Sequence, residues 1–168
     1  MVKSVAKLIV MAFKPLYALK IVNRMKDCEV RTYFGDIKRN DLVLIYASSP
    51  KKAFIGMFKV LDVIVGYYDD VVSYLHKSCK LFDEDNWYFI KEHYSKSLRK
   101  LMVIKIGNVK VFPREASLYE VRKYISSYRP PFSYVQASHE LISVLKKILG
   151  TSVWEDIITQ LSKGESHQ

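Results

Sequence analysis

Lys26-Asp27-Cys28-Glu29-Val30-Arg31 is the segment whose residue types and spacing come closest to a chemical site. On an extended strand Glu29 and Arg31, two residues apart, point to one face, and Lys26 reaches the same place from the end of a preceding helix. One carboxylate then lies between two cations. Such a pocket can hold a phosphate or a base edge with Lys26 and Arg31 while Glu29 orients a donor; the same spacing also serves a surface ion-pair ladder. A lysine acting as nucleophile or base must shed its proton, and an adjacent carboxylate favours the ammonium, so Glu29 argues for Lys26 as a cation.

Further cations join this segment. Lys51 and Lys52 follow Ser48-Ser49-Pro50 at an expected turn, where exposed lysines reach a nucleic-acid backbone as readily as they do solvent. Arg122, Lys123 and Arg129 add to a basic stretch further on. Tyr46, Tyr67, Tyr68, Tyr74, Trp87, Tyr88 and Phe89 could stack on unpaired bases, although aromatics at strand and helix spacing are more often core. His76 and Cys79, three apart on an expected helix, could ligate a metal together with Cys28, but no fourth ligand stands at a recognisable spacing, so neither metal nor cofactor is expected. Cys28 and Cys79 cannot build a disulfide framework and neither sits in a CxxC pair, so a reducing, cytoplasmic setting is expected.

Positioning these residues falls to elements that the hydrophobic pattern outlines. The composition, 168 residues with 49% hydrophobic and 26% charged, is that of a globular domain and excludes disorder and fibrous repeats. Val5 to Phe13, Cys28 to Tyr33, Asp41 to Ala47, Ala53 to Gly66 and Leu101 to Phe112 read as strands, with Gly56 and Gly107 as bulges that let a small sheet curl. Lys14 to Met25, Asp69 to Lys80 and Asp83 to Tyr94 read as helices. Capping boxes at Ser117 to Glu120 and Ser152 to Glu155 start two more, and Tyr134 to Leu149 reads as helical. No apolar run is long and clean enough for a membrane span, and no secretory leader is visible.

The formal net charge of +10 is not spread evenly. Residues 1–59 carry +8 and 99–134 carry +6, while 60–98 and 135–168 carry −3 and −1. A polyanionic partner is therefore expected at the strand-rich segments.

The run Phe13-Lys14-Pro15-Leu16-Tyr17-Ala18, then Lys26-x-x-Glu29-x-Arg31, Gly35-Asp36, Asp41 to Pro50 (DLVLIYASSP) and Ile55-Gly56 resembles the ASC-1 homology (ASCH) family, in particular its archaeal single-domain members. Ile104 to Val109, Ser117-Leu118 and Tyr128-Arg129-Pro130-Pro131-Phe132-Ser133-Tyr134 continue the resemblance, which covers about residues 5–135. It implies an α+β fold, a small PUA-like curled β-barrel with a helical insertion and C-terminal helices, and a role in RNA binding tied to translation, RNA modification or transcription. By position Lys14, Lys26, Glu29, Arg31 and Ser48 would line its cleft. One bacterial branch hydrolyses N4-acetylcytidine with a lysine, a threonine three residues later and a distant glutamate. Lys26 matches that lysine, Glu29 stands in the threonine place, and Glu84 or Glu92 could supply the distant acid.

Together these readings predict a barrel domain over 1–134 and a C-terminal helical extension over 135–168 that packs on it or joins two copies. The expected function is RNA or nucleotide binding through Lys14, Lys26, Glu29, Arg31, Ser48, Lys51, Lys52 and Arg129. The alternatives are an N4-acetylcytidine amidohydrolase using Lys26, and an adaptor whose C-terminal helices hold a protein partner.

Overall fold

A computed structural model describes residues 6–163; Val5, the expected start of the first strand, and His167 lie outside the described residues. Six strands form one mixed sheet: β1 (Leu8–Phe13), β2 (Cys28–Thr32), β3 (Leu42–Ala47), β4 (Ala53–Gly66), β5 (Leu101–Ser117) and β6 (Tyr134–Gln136). Their spatial order is β2-β5-β4-β3-β1-β6, with β1 and β3 parallel and the remaining pairs antiparallel. Six helices surround it: α1 (Pro15–Val22), α2 (Tyr68–Ser78), α3 (Glu84–Tyr94), α4 (Leu118–Tyr124), α5 (His139–Leu149) and α6 (Thr151–Lys163).

β1 and β3 are apolar throughout because both faces of the sheet are covered. Ile9, Met11 and Phe13 face one cluster with Val43, Ile45 and Phe58, whereas Val10, Leu44 and Tyr46 face the opposite cluster with Leu141, Leu145 and Trp154 of the last two helices. The sheet curls where its longest strands slip. The β4–β5 register shifts between Phe54 and Gly56, and a Cβ on Gly56 would stand 2.7 Å from the Lys110 carbonyl oxygen, so only glycine admits that approach.

Local signals set most helix starts. Pro15 opens α1, the Asp83 side chain accepts from the Asn86 amide at the start of α3, and the Ser117–Glu120 capping box opens α4. Two readings are corrected. Tyr134–Gln136 is a strand and not the start of a helix, because it pairs antiparallel with the otherwise open edge of β1; α5 begins only at His139, behind the Ser138 cap. The expected boundary between 134 and 135 falls inside this strand. α6 starts at Thr151, straight after Gly150 at φ +94°, so Ser152 lies within its first turn rather than ahead of it.

The helical insertion between β4 and β5 packs on the other end of the sheet. Val71, Leu75, Phe82 and Ile90 meet Val30, Leu101 and Val103 in a third apolar cluster. Cys28 of β2 and Cys79, the C-cap of α2, form a disulfide there, a pairing not expected of a chain read as belonging to a reducing setting. The bond closes a separation of 51 residues, a proximity that no local spacing reveals.

Candidate functional site

A cleft of about 400 Å³ opens between the sheet end and the insertion, lined on one side by Phe13, Lys14, Tyr17, Lys26, Glu29 and Arg31 and on the other by Phe82, Asn86, Phe89 and Tyr94. Ser48 and the Pro131-Phe132 segment complete its rim. This volume falls in the range of small-molecule sites, about 300–1,000 Å³. The aromatic rings make the walls and the charged residues make the floor.

The floor is a connected polar chain. Lys26, only 4% exposed, donates from Nζ to Asn86 Oδ1 at 2.8 Å and lies 3.4 Å from Glu29 Oε1. Its ammonium also sits 5.4 Å from the ring centres of both Tyr17 and Phe82, where cation–π attraction adds to the ion pair. Arg31 donates from Nε to Glu29 Oε2 at 2.9 Å, from one terminal nitrogen to the Ser133 hydroxyl and carbonyl oxygens at 3.0 and 3.2 Å, and from the other to the Ala12 carbonyl. Every nitrogen of that guanidinium thus has an acceptor within the fold, so Arg31 fixes Glu29 and the 133 segment in place. Burial alone would raise the Glu29 carboxyl, but Arg31 and Lys26 outweigh it and hold the group below its usual value.

Asn86 carries the chain outward. Its Nδ2 donates to Asp83 Oδ1 at 2.7 Å, which leaves Oδ1 facing Lys26 and defines the amide orientation. Asp83 in turn pairs with Lys20 at 2.8 Å; that hydrogen bond, the two from Asn86 and the nearby charge hold the Asp83 carboxyl down at about 2. Burial, with the Glu29 carboxylate nearby, pushes the Tyr94 hydroxyl up, so it stays protonated beside the cleft.

Five residues placed in the cleft by sequence, Lys14, Lys26, Glu29, Arg31 and Ser48, do lie in its lining. Lys51, Lys52 and Arg129 do not: Lys51 pairs with Glu115 at 2.7 Å on the neighbouring strand, and Lys52 and Arg129 are exposed elsewhere. Glu84 and Glu92 are exposed and outside the cleft; the insertion side chain on Lys26 is the amide of Asn86. Of the seven aromatics considered for stacking, Phe89 lines the cleft. Tyr46 packs on Phe54, Tyr74 donates to Asp62 at 2.9 Å, and Trp87 stacks on His76. His76 is not in the group of potential metal ligands that holds Cys79. Asp27, Cys28 and Cys79 are the group of three potential metal ligands among the described residues, but the two sulfurs are bonded to each other and Asp27 caps the Lys80 and Leu81 amides.

Sequence reasoning missed Asn86, Tyr17, Phe82 and Tyr94. The residues of the insertion enter the cleft only through a tertiary contact about 60 positions from Lys26. Tyr17 stood inside the matched Phe13 to Ala18 run and was the one signal available.

No family model matches this sequence, and no curated protein does. Solved structures do. ASCH from Zymomonas mobilis superposes with a TM-score of 0.71 at 20% identity over 84% of this chain and 95% of that one. The N-terminal domain of Staphylothermus marinus McrB reaches 0.54 at 13% identity over 86% and 95%, and a hypothetical protein from Leishmania major 0.54 at 13% over 88% and 97%. The curled mixed sheet with its helices is an α+β half-barrel. The chain's fold is that of the Zymomonas mobilis ASCH structures, as the resemblance led one to expect.

Proposed function

We propose that the protein binds RNA and takes one base into the cleft. The observation that carries this reading is the cleft's construction: aromatic walls of Tyr17, Phe82 and Phe89 around a floor of fixed donors and acceptors, Lys26, Glu29 and Asn86. Flat rings accept a base face, and the floor can meet polar groups on its edge. Lys14, exposed on the rim at the N-terminus of α1, supplies a phosphate contact. The excess of +8 and +6 on the two strand-rich segments supports a polyanionic ligand. An intracellular, cytoplasmic setting goes with such a ligand. Among the described residues no helix is long and apolar enough to cross a membrane.

Amide hydrolysis of a modified cytidine has less support. Lys26 is present, but Glu29 stands where that branch has a threonine, and the insertion side chain bonded to Lys26 is the amide of Asn86 rather than an acid. The adaptor reading finds no observation in its favour, since the apolar faces of α5 and α6 are spent on the sheet.

Titration of labelled single-stranded and hairpin RNA at low and physiological salt tests the reading. Affinity should fall with a log–log slope of about −0.7 per phosphate contacted. Phe89→Ala should weaken single-strand binding about tenfold, in line with loss of one stacking surface. Salt-independent binding, or a Phe89→Ala variant that binds as tightly as wild type, would contradict it. Release of cytidine from N4-acetylcytidine by the same preparation would move the protein to the enzyme class.

A further inference from the structure

We propose that Phe132 is a second stacking platform, for the base next to the one in the cleft, so that the site reads a single-stranded oligonucleotide rather than a free nucleoside. The inference rests on the cleft being a base site.

Phe132 is fully exposed, at 108% relative accessibility, ahead of Leu98 at 92%, and joins none of the three apolar clusters. A single exposed apolar residue is ordinary. Two features set this one apart. It stands at the mouth of the cleft beside Pro131, and its backbone is fixed on both sides. On the C-terminal side the Ser133 carbonyl accepts from the Ala12 amide at 2.9 Å and from Arg31, the Ser133 hydroxyl accepts from Arg31, and Tyr134 stacks on Phe34 at 4.5 Å. The Tyr134 hydroxyl accepts from the Phe34 and Gly35 amides at 3.1 and 2.8 Å. On the N-terminal side Pro130 and Pro131 restrict the chain.

The same Arg31 that orients Glu29 on the cleft floor therefore anchors the residue next to Phe132. A ring carried on a fixed backbone, with both faces open, has the geometry of a stacking platform whose backbone ordering is already complete. A cation shares its rim: Lys14 lines the same cleft and is exposed. A ligand with one flat group inside the cleft, a second outside it and an anionic link between them is a dinucleotide step. Single-stranded RNA supplies that, whereas a duplex keeps its bases stacked on each other.

The test compares the four ribonucleoside 5′-monophosphates with short single-stranded oligonucleotides of the same bases, on wild type, Phe132→Ala and Phe132→Trp, by calorimetric titration. Because the side chain is exposed, all three proteins should fold. Wild type should bind its preferred oligonucleotide about tenfold or more tightly than the monophosphate, Phe132→Ala should lose most of that gain, and Phe132→Trp should keep it. Equal wild-type affinity for monophosphate and oligonucleotide would overturn the platform and leave the base site standing. So would a Phe132→Ala variant that retains the full gain. Failure of wild type to bind any monophosphate or oligonucleotide would remove the base-site reading, and the platform with it. A gain that is the same for hairpin stems as for single strands would also overturn the platform.

Discussion

The two ends of the sheet are covered in different ways. At the C-terminal side α5 and α6 seal one face chiefly by apolar packing, with one hydrogen bond from Arg114 to the Ile148 carbonyl: Leu141, Leu145, Leu149, Trp154, Ile157 and Leu161 pack against Val10, Leu44 and Phe54. The insertion has a smaller apolar contact and adds a disulfide, a lysine-centred ion pair and a chain of hydrogen bonds from Lys20 through Asp83 and Asn86 to Lys26. A cover that only stabilises can be all apolar. A cover that must also form a wall of an open cleft cannot fill the space with side chains, and directional bonds hold it instead.

The comparison predicts that stability and binding separate at one end and not at the other. Trp154→Ala should have the largest effect, about 3–5 kcal/mol of unfolding free energy by urea titration, with ligand affinity of the remaining folded protein unchanged. A loss of affinity at that distance would show that the two covers are coupled. Cys79→Ser, or a dithiol reductant on wild type, should cost about 2–4 kcal/mol. Here the affinity should fall too, because Cys79 stands three residues before Phe82 of the cleft wall. Unchanged affinity under reduction would mean that the polar chain alone holds the wall.

Glu29→Gln should come next, about 1–3 kcal/mol, since it leaves Lys26 and Arg31 facing a neutral amide. Its pH dependence has a definite sign. The folded carboxyl lies below the ordinary 4.5, so the stabilisation is fully present above that value and is lost as pH falls through the lower, folded one. Acid unfolding curves of wild type and Glu29→Gln should therefore begin to converge as pH falls below 4.5 and meet only below the lower, folded value. Lys20→Ala should have the smallest effect, under about 1 kcal/mol, because the Asp83 side chain is 42% exposed and solvent screens the pair. Its contribution should fade between the ordinary 3.8 of Asp83 and about 2.

Where local chemistry decides, the sequence was readable. Pro15, the Ser117–Glu120 box and the apolar run of β4 are short-range signals, and each element formed as its residues suggest. Lys14, Lys26, Glu29 and Arg31 were legible as one site because 18 positions contain them all and the strand face aligns the last two. The second wall was not. Asn86 looks like any polar helix residue until Lys26 meets it, and the bond between Cys28 and Cys79 depends on how α2 lies along β2 and β5. Tyr134 was misread because an apolar stripe at the start of a helix and a three-residue edge strand look alike; only the open edge of β1 distinguishes them.

Photo-crosslinking of a single-stranded oligonucleotide carrying 4-thiouridine, followed by mass spectrometry of the attached peptides, tests the central claim most directly. The account predicts adducts on the segment from Phe82 to Tyr94 and on Phe132, competed by unlabelled single strand and reduced in Phe89→Ala. Adducts confined to α5 and α6, with the cleft peptides unmodified, would contradict it.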